Sequence, residues 1–461
     1  MSEIPIGGRV THATRGAGEI LGSRYRGYEY YVQFATARAW VKGLELRYEG
    51  HCQQPAYIAK EVLPVGNQSG LPSKSALAAA SSTRLIAPAT HADRCVLEAF
   101  RLGTVPDRWV EDWTFGRDDE LAHLEHWLED EADGSLLLEG AYGSGKSHLL
   151  QALRARGAQR NFVVTYSHLD SGEESAAFPK RLYRQIARGL WAPGIGGLDQ
   201  LLLAAVERFG GNPLPNHPIL GEMLDRIADN TVQRSDWEAI LGEGPATAAT
   251  GYLPDFTTCA NVYCSLLSGL GVLCTKVLGF KGLLILVDEV ETASACLYRF
   301  HWRRAQSFFR GLTMTANDEP ELLDEPIERA SSTYRGAHTG LIYAGHRRIP
   351  YLSDVPCGLK VALATTPGPM RGHYREWRGE QTVIELMPVG AVALTKLAER
   401  ISNVYASLYD VVFRPVTVAA LTGKLLDRFG SAATRTFIKA YVECLDFRRF
   451  HPERPLKELL R

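Results

Sequence analysis

The chain of 461 residues has no surplus of either charge. Lys and Arg number 51 against 52 Asp and Glu, a formal net charge of −1. This excludes a basic field over the whole surface, so any binding of nucleic acid has to come from a local patch. The eight cysteines include no C-x-x-C pair, and no His/Cys cluster stands at zinc spacing, which excludes the common zinc modules and leaves reduced structural thiols. The opening MSEIPIGGRV lacks a basic stretch followed by an apolar one, so no signal peptide is expected. Long apolar runs are also missing. The longest stretch, NVYCSLLSGLGVLCTKVLGF (261–280), is broken by polar residues and Lys276, and predicts a buried helix and no membrane span. With 45% hydrophobic and 22% charged residues, the chain has the composition of a cytoplasmic globular protein, and its length predicts two or three domains.

What the sequence does have is LLLEGAYGSGKSHLL (136–150). An apolar run, Leu136 to Leu138, predicts a buried parallel strand, and Leu149, Leu150 and Leu153 follow at helical spacing. Between them stands G-x-x-x-x-G-K-S, with Gly140, Gly145, Lys146 and Ser147 in the fixed positions. A phosphate chain needs several backbone N–H groups aimed at it together, and glycines allow the tight wrap. The helix start adds its positive dipole end. Gly140, Ala141, Tyr142, Gly143, Ser144, Gly145, Lys146, Ser147 and His148 are therefore the candidate ATP-binding residues. Lys146 reaches the β- and γ-phosphates, and the Ser147 hydroxyl ligates Mg²⁺.

Hydrolysis also needs an acid on a neighbouring strand. GLLILVDEVE (282–291) supplies five apolar residues ending in Asp288 and Glu289. Asp288 is placed to hold Mg²⁺ through water, and Glu289 to orient and deprotonate the attacking water. Glu291 is a second candidate for the base.

Residues 1–65 predict a small β module, with Tyr28, Tyr30, Val32 and Phe34 alternating and glycines punctuating the segment. Residues 66–93, rich in Ser, Ala, Gly and Pro, predict a linker. Residues 94–388 predict an α/β core, with strands at 161–170 and 359–368 beside the two already named and a mostly helical insertion at 190–260. From 389 to 461 the pattern is helical. Leu394, Leu397, Ile401, Val404 and Leu408, then Phe437, Ile438, Tyr441, Val442 and Leu445, predict a helical lid on the nucleotide edge.

FGRDDEL (115–121), VDEVE and TTPG (365–368) resemble an AAA+ ATPase of the origin-recognition type. More narrowly, LEAFRLGTVP (97–106), EGAYGSGKSHLL and ATRTFIKAYVECLD (433–446) resemble the ATP-binding family of bacterial BREX phage-defence systems, the BrxD-like group. The resemblance implies an AAA+ parallel sheet with a helical C-terminal lid, and Thr365 or Thr366 as a sensor of the γ-phosphate. It further implies Arg435 as a second sensor on the lid, and assembly into a homo-oligomer. Arg347 and Arg348 are candidates for an arginine finger, although a solvated loop pair is the plainer account. GGRVTHATRGAGEILG with YYVQF and WVKGLEL resembles the SH3-like or Tudor-like modules of UvrD-type helicases and CarD-like factors, carried by Val10, His12, Gly16, Gly18, Ile20, Val32 and Phe34. It implies a small barrel that docks on DNA, RNA polymerase or another protein, with Arg9, Arg15, Arg24, Arg26 and Arg38 as a modest basic excess. His12 itself reads more simply as a hydrogen-bonded turn residue. Two functions follow. One is an ATPase acting with a helicase, nuclease or methyltransferase in phage defence or DNA processing. The other is a nucleotide-gated adaptor that hydrolyses little. A metabolic kinase is disfavoured, since no second substrate constellation is evident.

Overall fold

The computed structural model describes residues 91–106, 109–170, 175–245, 247–248, 253–295, 299–330, 333–345, 349–379, 382–430 and 433–455, and the backbone of five strands before them. Two compact units divide the chain, 1–82 and 83–461. In the first, β1 (Arg9–His12), β2 (Gly16–Arg24), β3 (Glu29–Phe34), β4 (Arg38–Lys42) and β5 (Leu46–Tyr48) form an antiparallel sheet in the order β4-β3-β2-β1-β5. Thr11 pairs with Arg47, so the last strand returns beside the first. The alternating Tyr30, Val32 and Phe34 fall on β3. The connecting turns, which hold Tyr28, Arg15 and Arg26, lie outside the described residues. So do all side chains of the unit and the expected linker as far as residue 90. The barrel expectation and the roles of His12 and the arginines lie there with them.

The second unit is built on a parallel sheet. Its strands are β6 (Ser135–Glu139), β7 (Phe162–His168), β8 (Gly282–Asp288), β12 (Leu359–Thr365) and β13 (Val383–Glu385), in the order β13-β6-β12-β8-β7. A fourth strand thus stands between the glycine-loop strand and the acidic strand. Every residue of β6, β8 and β12 is buried, as strands covered on both faces must be. Leu136, Leu138, Val164, Leu284, Leu286, Ala362 and Ala364 pack on one face against α2 (Asp118–Glu129) and α3 (Lys146–Gln159). Leu137, Val163, Leu283, Ile285, Val287, Val361 and Leu363 pack on the other, against α4 (Pro179–Gly189), α8 (Ala260–Val272) and α9 (Arg299–Ala316). Parallel register carries the strand ends to one edge. His168 pairs with Asp288, and Thr365 pairs with Glu139.

The insertion after β7 is helical as expected, with α5 (Leu198–Phe209), α6 (Leu220–Ala228) and α7 (Arg234–Ile240). All of α8 is buried, and the apolar stretch Ala260–Val277 is 83% buried, so it is a core helix. A small antiparallel sheet of β9 (Ile327–Ala330), β10 (Thr333–Gly336) and β11 (Ile342–Tyr343) was not anticipated. Lys360, on β12, is buried with its ammonium among the carbonyls of Trp127, Asp130 and Asp133. It thereby caps the orphan carbonyls at the end of α2.

The lid comprises α11 (Ala391–Tyr409), α12 (Pro415–Phe429) and α13 (Thr434–Phe450). Its core, centred on Leu394, Ile401, Tyr405, Phe437 and Tyr441, also takes in Val96, Leu97 and Phe100 of α1 (His91–Leu102) and Trp113. The chain segment before the glycine loop is therefore part of the lid's packing. Arg101 fastens it through two bonds to Asp446, at 2.8 and 2.9 Å.

Candidate nucleotide site

The turn from β6 to α3 needs its glycines for stated reasons. A Cβ at Gly140 would lie 2.6 Å from Ser144 Oγ and 2.8 Å from Leu386 Cβ, too close to be tolerated. Gly145, the residue before α3, sits at φ 104°, in the left-handed region. With the turn closed, the start of α3 lines a cleft between the sheet edge and the lid. Tyr142, Gly143, Ser144, Gly145, Lys146, Ser147 and His148 line it. Lys146 is buried and folds back, its Nζ donating to the Gly140 carbonyl at 2.8 Å and to that of Ala141 at 3.4 Å. Burial pushes its ammonium below the usual lysine value, while Glu291, Asp288 and Glu289 pull the other way and Arg435 adds to the fall.

Asp288 is buried at the end of β8 and lines the same cleft, with Glu289 and Glu291. Its Oδ1 accepts from the Glu289 N–H at 2.9 Å, and its Oδ2 from the Tyr166 hydroxyl at 2.8 Å. Glu289 adopts φ 57°. A left-handed conformation in a non-glycine residue costs on the order of 1–3 kcal/mol. Its carbonyl is held by Thr292 through N–H and Oγ1, at 3.0 and 2.7 Å. Its Oε2 stands 3.6 Å from His168 Nε2. Ser147 and Asp288 provide a hydroxyl and a carboxylate, hard oxygen donors suited to Mg²⁺, which is commonly held by few protein ligands together with substrate phosphates. Among the described residues there is no cluster of three or more His, Cys, Asp or Glu that would hold a metal by itself.

The lid closes the other side. Arg435, in the first turn of α13, donates from Nη1 to Tyr142 Oη at 2.8 Å. Its guanidinium lies 4.9 Å from the Tyr142 ring centroid, and its backbone N–H reaches the Gly143 carbonyl at 3.4 Å. A lid residue 293 positions downstream of Tyr142 thus rests on the glycine loop itself.

Residues 89–193 match the family of the BREX system ATP-binding protein BrxC/D. The matched span holds LEAFRLGTVP, FGRDDEL and the glycine loop, and ends before β8. No curated protein matches the chain. Among solved structures, it is similar to domain III of the replication initiation protein DnaA from Thermotoga maritima, with 10% identity over 78% of this chain and 95% of that one, TM-score 0.33. It is similar also to the ORC1 protein of Aeropyrum pernix in complex with DNA, with 14% identity over 77% of this chain and 65% of that one, TM-score 0.34. Drosophila ORC bound to DNA gives 14% identity over 78% and 68%, TM-score 0.34. The family match falls on the part of the chain that carries the glycine loop, and the unit around that loop is a parallel α/β sheet with a helical lid.

The other expected residues fall as follows. Thr365 ends β12, and its carbonyl accepts the Gly140 N–H at 3.1 Å. Thr366, one residue on, is half-buried and does not line the cleft, and neither do Gly140 and Ala141. Arg347 and Arg348 lie outside the described residues. His148 lines the cleft with its Nε2 2.8 Å from Thr114 Oγ1, another lining residue. Burial, with Arg117 nearby, lowers its pKa to about 4, so the ring is neutral.

Sequence reasoning missed two features. Arg117 is buried and clamps the loop, with Nη2 donating to the Ser144 carbonyl at 2.6 Å and Nη1 to that of Met387 at 2.7 Å and to Glu120 at 2.5 Å. The apolar end of the cleft was missed as well. Phe100, Val105, Trp113, Phe115, Leu397 and Ile438 line it. The sign of Arg117 was present in FGRDDEL, as a lone arginine before an acidic first turn. The apolar wall carried no sign, because its residues come from four separate segments.

Proposed function

We propose that the protein binds ATP with Mg²⁺, hydrolyses it, and couples turnover to engagement of DNA or a protein partner in a cytoplasmic phage-defence or DNA-processing complex. The observation that carries the reading is convergence. The glycine loop, the Asp288–Glu289 pair and Arg435 of the lid meet on one cleft, although they are spread over some 290 residues. In the proposed reaction Lys146 and the α3 N–H groups hold the phosphates. Ser147 and Asp288 hold the cation. Glu289 takes the proton of the attacking water. The BrxC/D match over residues 89–193 supports the defence assignment.

Engagement of DNA is supported by α9. It carries Arg299, Arg303, Arg304 and Arg310 and no acidic residue, in a chain otherwise balanced in charge. Arg299 and Arg303 are exposed. Among the described residues none of the four has an ion-pair partner. Arg299, in the first turn, opposes the helix dipole, and a polyanion would compensate it.

The experiment is steady-state hydrolysis by the wild type and by Glu289→Gln, with and without DNA. The variant is expected to retain ATP and to lose on the order of 10²–10⁴ in rate, and DNA is expected to change wild-type turnover. A variant that hydrolyses normally, with Glu291→Gln inactive, moves the base to Glu291. A wild-type rate indifferent to DNA removes the coupling.

A further inference from the structure

Two polar atoms stand without partners beside the apolar wall of the cleft. One is the hydroxyl of Thr434, in the first turn of α13 and one turn before Ile438. Thr434 lines the cleft, and its Oγ1 is buried with no hydrogen-bond partner among the described residues. Two other threonines of the lining are occupied. Thr104 donates to the Ala99 carbonyl at 3.2 Å and Thr114 to the Val110 carbonyl at 2.8 Å. A buried hydroxyl left unpaired is costly, and its presence calls for an absent partner.

The second atom is Nδ1 of His148, and the Thr114 bond identifies its state. A hydroxyl has one hydrogen, and a carbonyl can only accept. Thr114 therefore commits its hydrogen to Val110. Its contact with His148 Nε2 at 2.8 Å must run the other way, with Nε2–H donating to the threonine oxygen. The ring is neutral, so Nδ1 carries a lone pair and no hydrogen. Among the described residues Nδ1 has no hydrogen-bond partner. The ring is half-buried, lines the cleft and is held at Thr114, between the wall residues Trp113 and Phe115.

One cleft thus joins the glycine loop to an apolar wall that carries a fixed acceptor and a free hydroxyl. Small-molecule sites have this composition, apolar surface with a few polar groups that set orientation. A triphosphate held at the loop leaves its base to the rest of the cleft. Adenine carries an exocyclic amine, a donor, beside ring nitrogens that accept, whereas guanine carries an acceptor oxygen where adenine has the amine. We propose that His148 and Thr434 select adenine, Nδ1 accepting from the exocyclic amine and the Thr434 hydroxyl donating to a ring nitrogen. The proposal rests on the reading of the cleft as a nucleotide site and adds which base it takes and by which atoms. Guanine would set its oxygen against the Nδ1 lone pair.

The test is calorimetry on the full-length chain with four probes in Mg²⁺: ATP, GTP, inorganic tripolyphosphate, and purine riboside triphosphate, which differs from ATP only in lacking the amine. Wild type is expected to bind ATP about 2- to 10-fold more tightly than purine riboside triphosphate, the worth of one hydrogen bond, and at least about tenfold more tightly than GTP. His148→Phe keeps a planar ring and removes Nδ1. In that variant ATP and purine riboside triphosphate are expected to bind within about twofold of each other, a comparison in which any general loosening of the wall cancels. Thr434→Val is expected to weaken both by about 2- to 10-fold and to leave tripolyphosphate unchanged. Equal binding of ATP and purine riboside triphosphate by wild type overturns the proposal. So does a preference for ATP that survives in His148→Phe, and an unaltered ATP affinity in Thr434→Val overturns the part of the hydroxyl. If wild type binds none of the four probes, the nucleotide reading itself fails. If it binds tripolyphosphate and all three nucleotides alike, the phosphate site stands and only base selection fails.

Discussion

Arg435 and Tyr142 offer a prediction of opposite signs at one contact. Arg435 is engaged by Tyr142 through a 2.8 Å hydrogen bond and a ring contact at 4.9 Å. Tyr142 is 72% exposed, so both terms are weak, about 0.5–1.5 kcal/mol for the bond and about 0.5–1 kcal/mol for the cation–π contact. A phosphate in the cleft would offer the guanidinium charge-assisted bonds of about 1.5–3 kcal/mol each. Binding ATP would exchange the tyrosine contact for the phosphate contact. Arg435→Ala removes both sides of the exchange, and the net loss of ATP binding is about 0.5–2 kcal/mol, or roughly 2- to 30-fold in affinity. Tyr142→Ala removes only the competing contact, so ATP affinity is expected to hold or to rise by a few-fold. The assay is calorimetric titration of ATP with Mg²⁺ against the two variants and the double variant. In the double variant the loss should match that of Arg435→Ala alone. If Tyr142→Ala weakens ATP as much as Arg435→Ala does, the tyrosine is itself a nucleotide contact and the exchange reasoning is refuted.

Lys146→Ala is expected to weaken ATP at least about tenfold, since a charge-assisted phosphate contact is worth about 1.5–3 kcal/mol; unchanged affinity by calorimetry would remove the loop from the nucleotide site. Acid sensitivity should reside in part in His217, whose pKa burial lowers to about 4. Its Nδ1 accepts from the Ile219 and Leu220 N–H groups at 3.1 and 3.0 Å and its Nε2 faces the Ser265 carbonyl at 3.1 Å, which fixes the neutral tautomer. Between the unfolded value near 6.5 and the folded value of about 4, only the unfolded chain takes up the proton. The contribution, up to about 3 kcal/mol, is therefore full above pH 6.5 and lost as pH falls toward 4. His217→Asn keeps an acceptor without titrating, and urea melts from pH 7 to 4.5 should show a shallower decline; an equal slope would place the acid sensitivity elsewhere.

Much of the core was legible because its strands are covered on both faces. A buried parallel strand writes itself as an unbroken apolar run, and Leu136 to Leu138, Leu283 to Val287 and the run from Leu359 did so. The order of the strands was not legible, because register is set by backbone pairing that leaves no mark on one sequence. The β9–β11 sheet was missed for a related reason. Its strands are two to four residues long, below the length at which alternation shows. The lid's heptad-like spacing gave α11 and α13, but nothing in α1 said that Val96, Leu97 and Phe100 belong to the same core.

The site shows a sharper division. The residues proposed to meet the phosphates are contiguous, since an anion is bound by a turn and the helix it opens, and a motif recorded them. Residues that position those groups are scattered. Arg117 holds the loop through its own carbonyl at Ser144, and Tyr166 holds Asp288 from the next strand. Such contacts are satisfied by any donor of the right reach, so they leave no fixed spacing. The left-handed turn at Glu289 is equally invisible, because the same DE pair could end a strand in extended backbone. What exposes it is the observation that Thr292 bonds twice to the Glu289 carbonyl, which over-determines a conformation that the residue would not choose alone. The catalytic assignment of Glu289 over Glu291 therefore rests on backbone strain held in place by a neighbour. Thr292→Val, which removes one of the two bonds, should lower turnover while leaving ATP affinity in place. Loss of affinity with unchanged turnover would show that the turn serves binding and not the base.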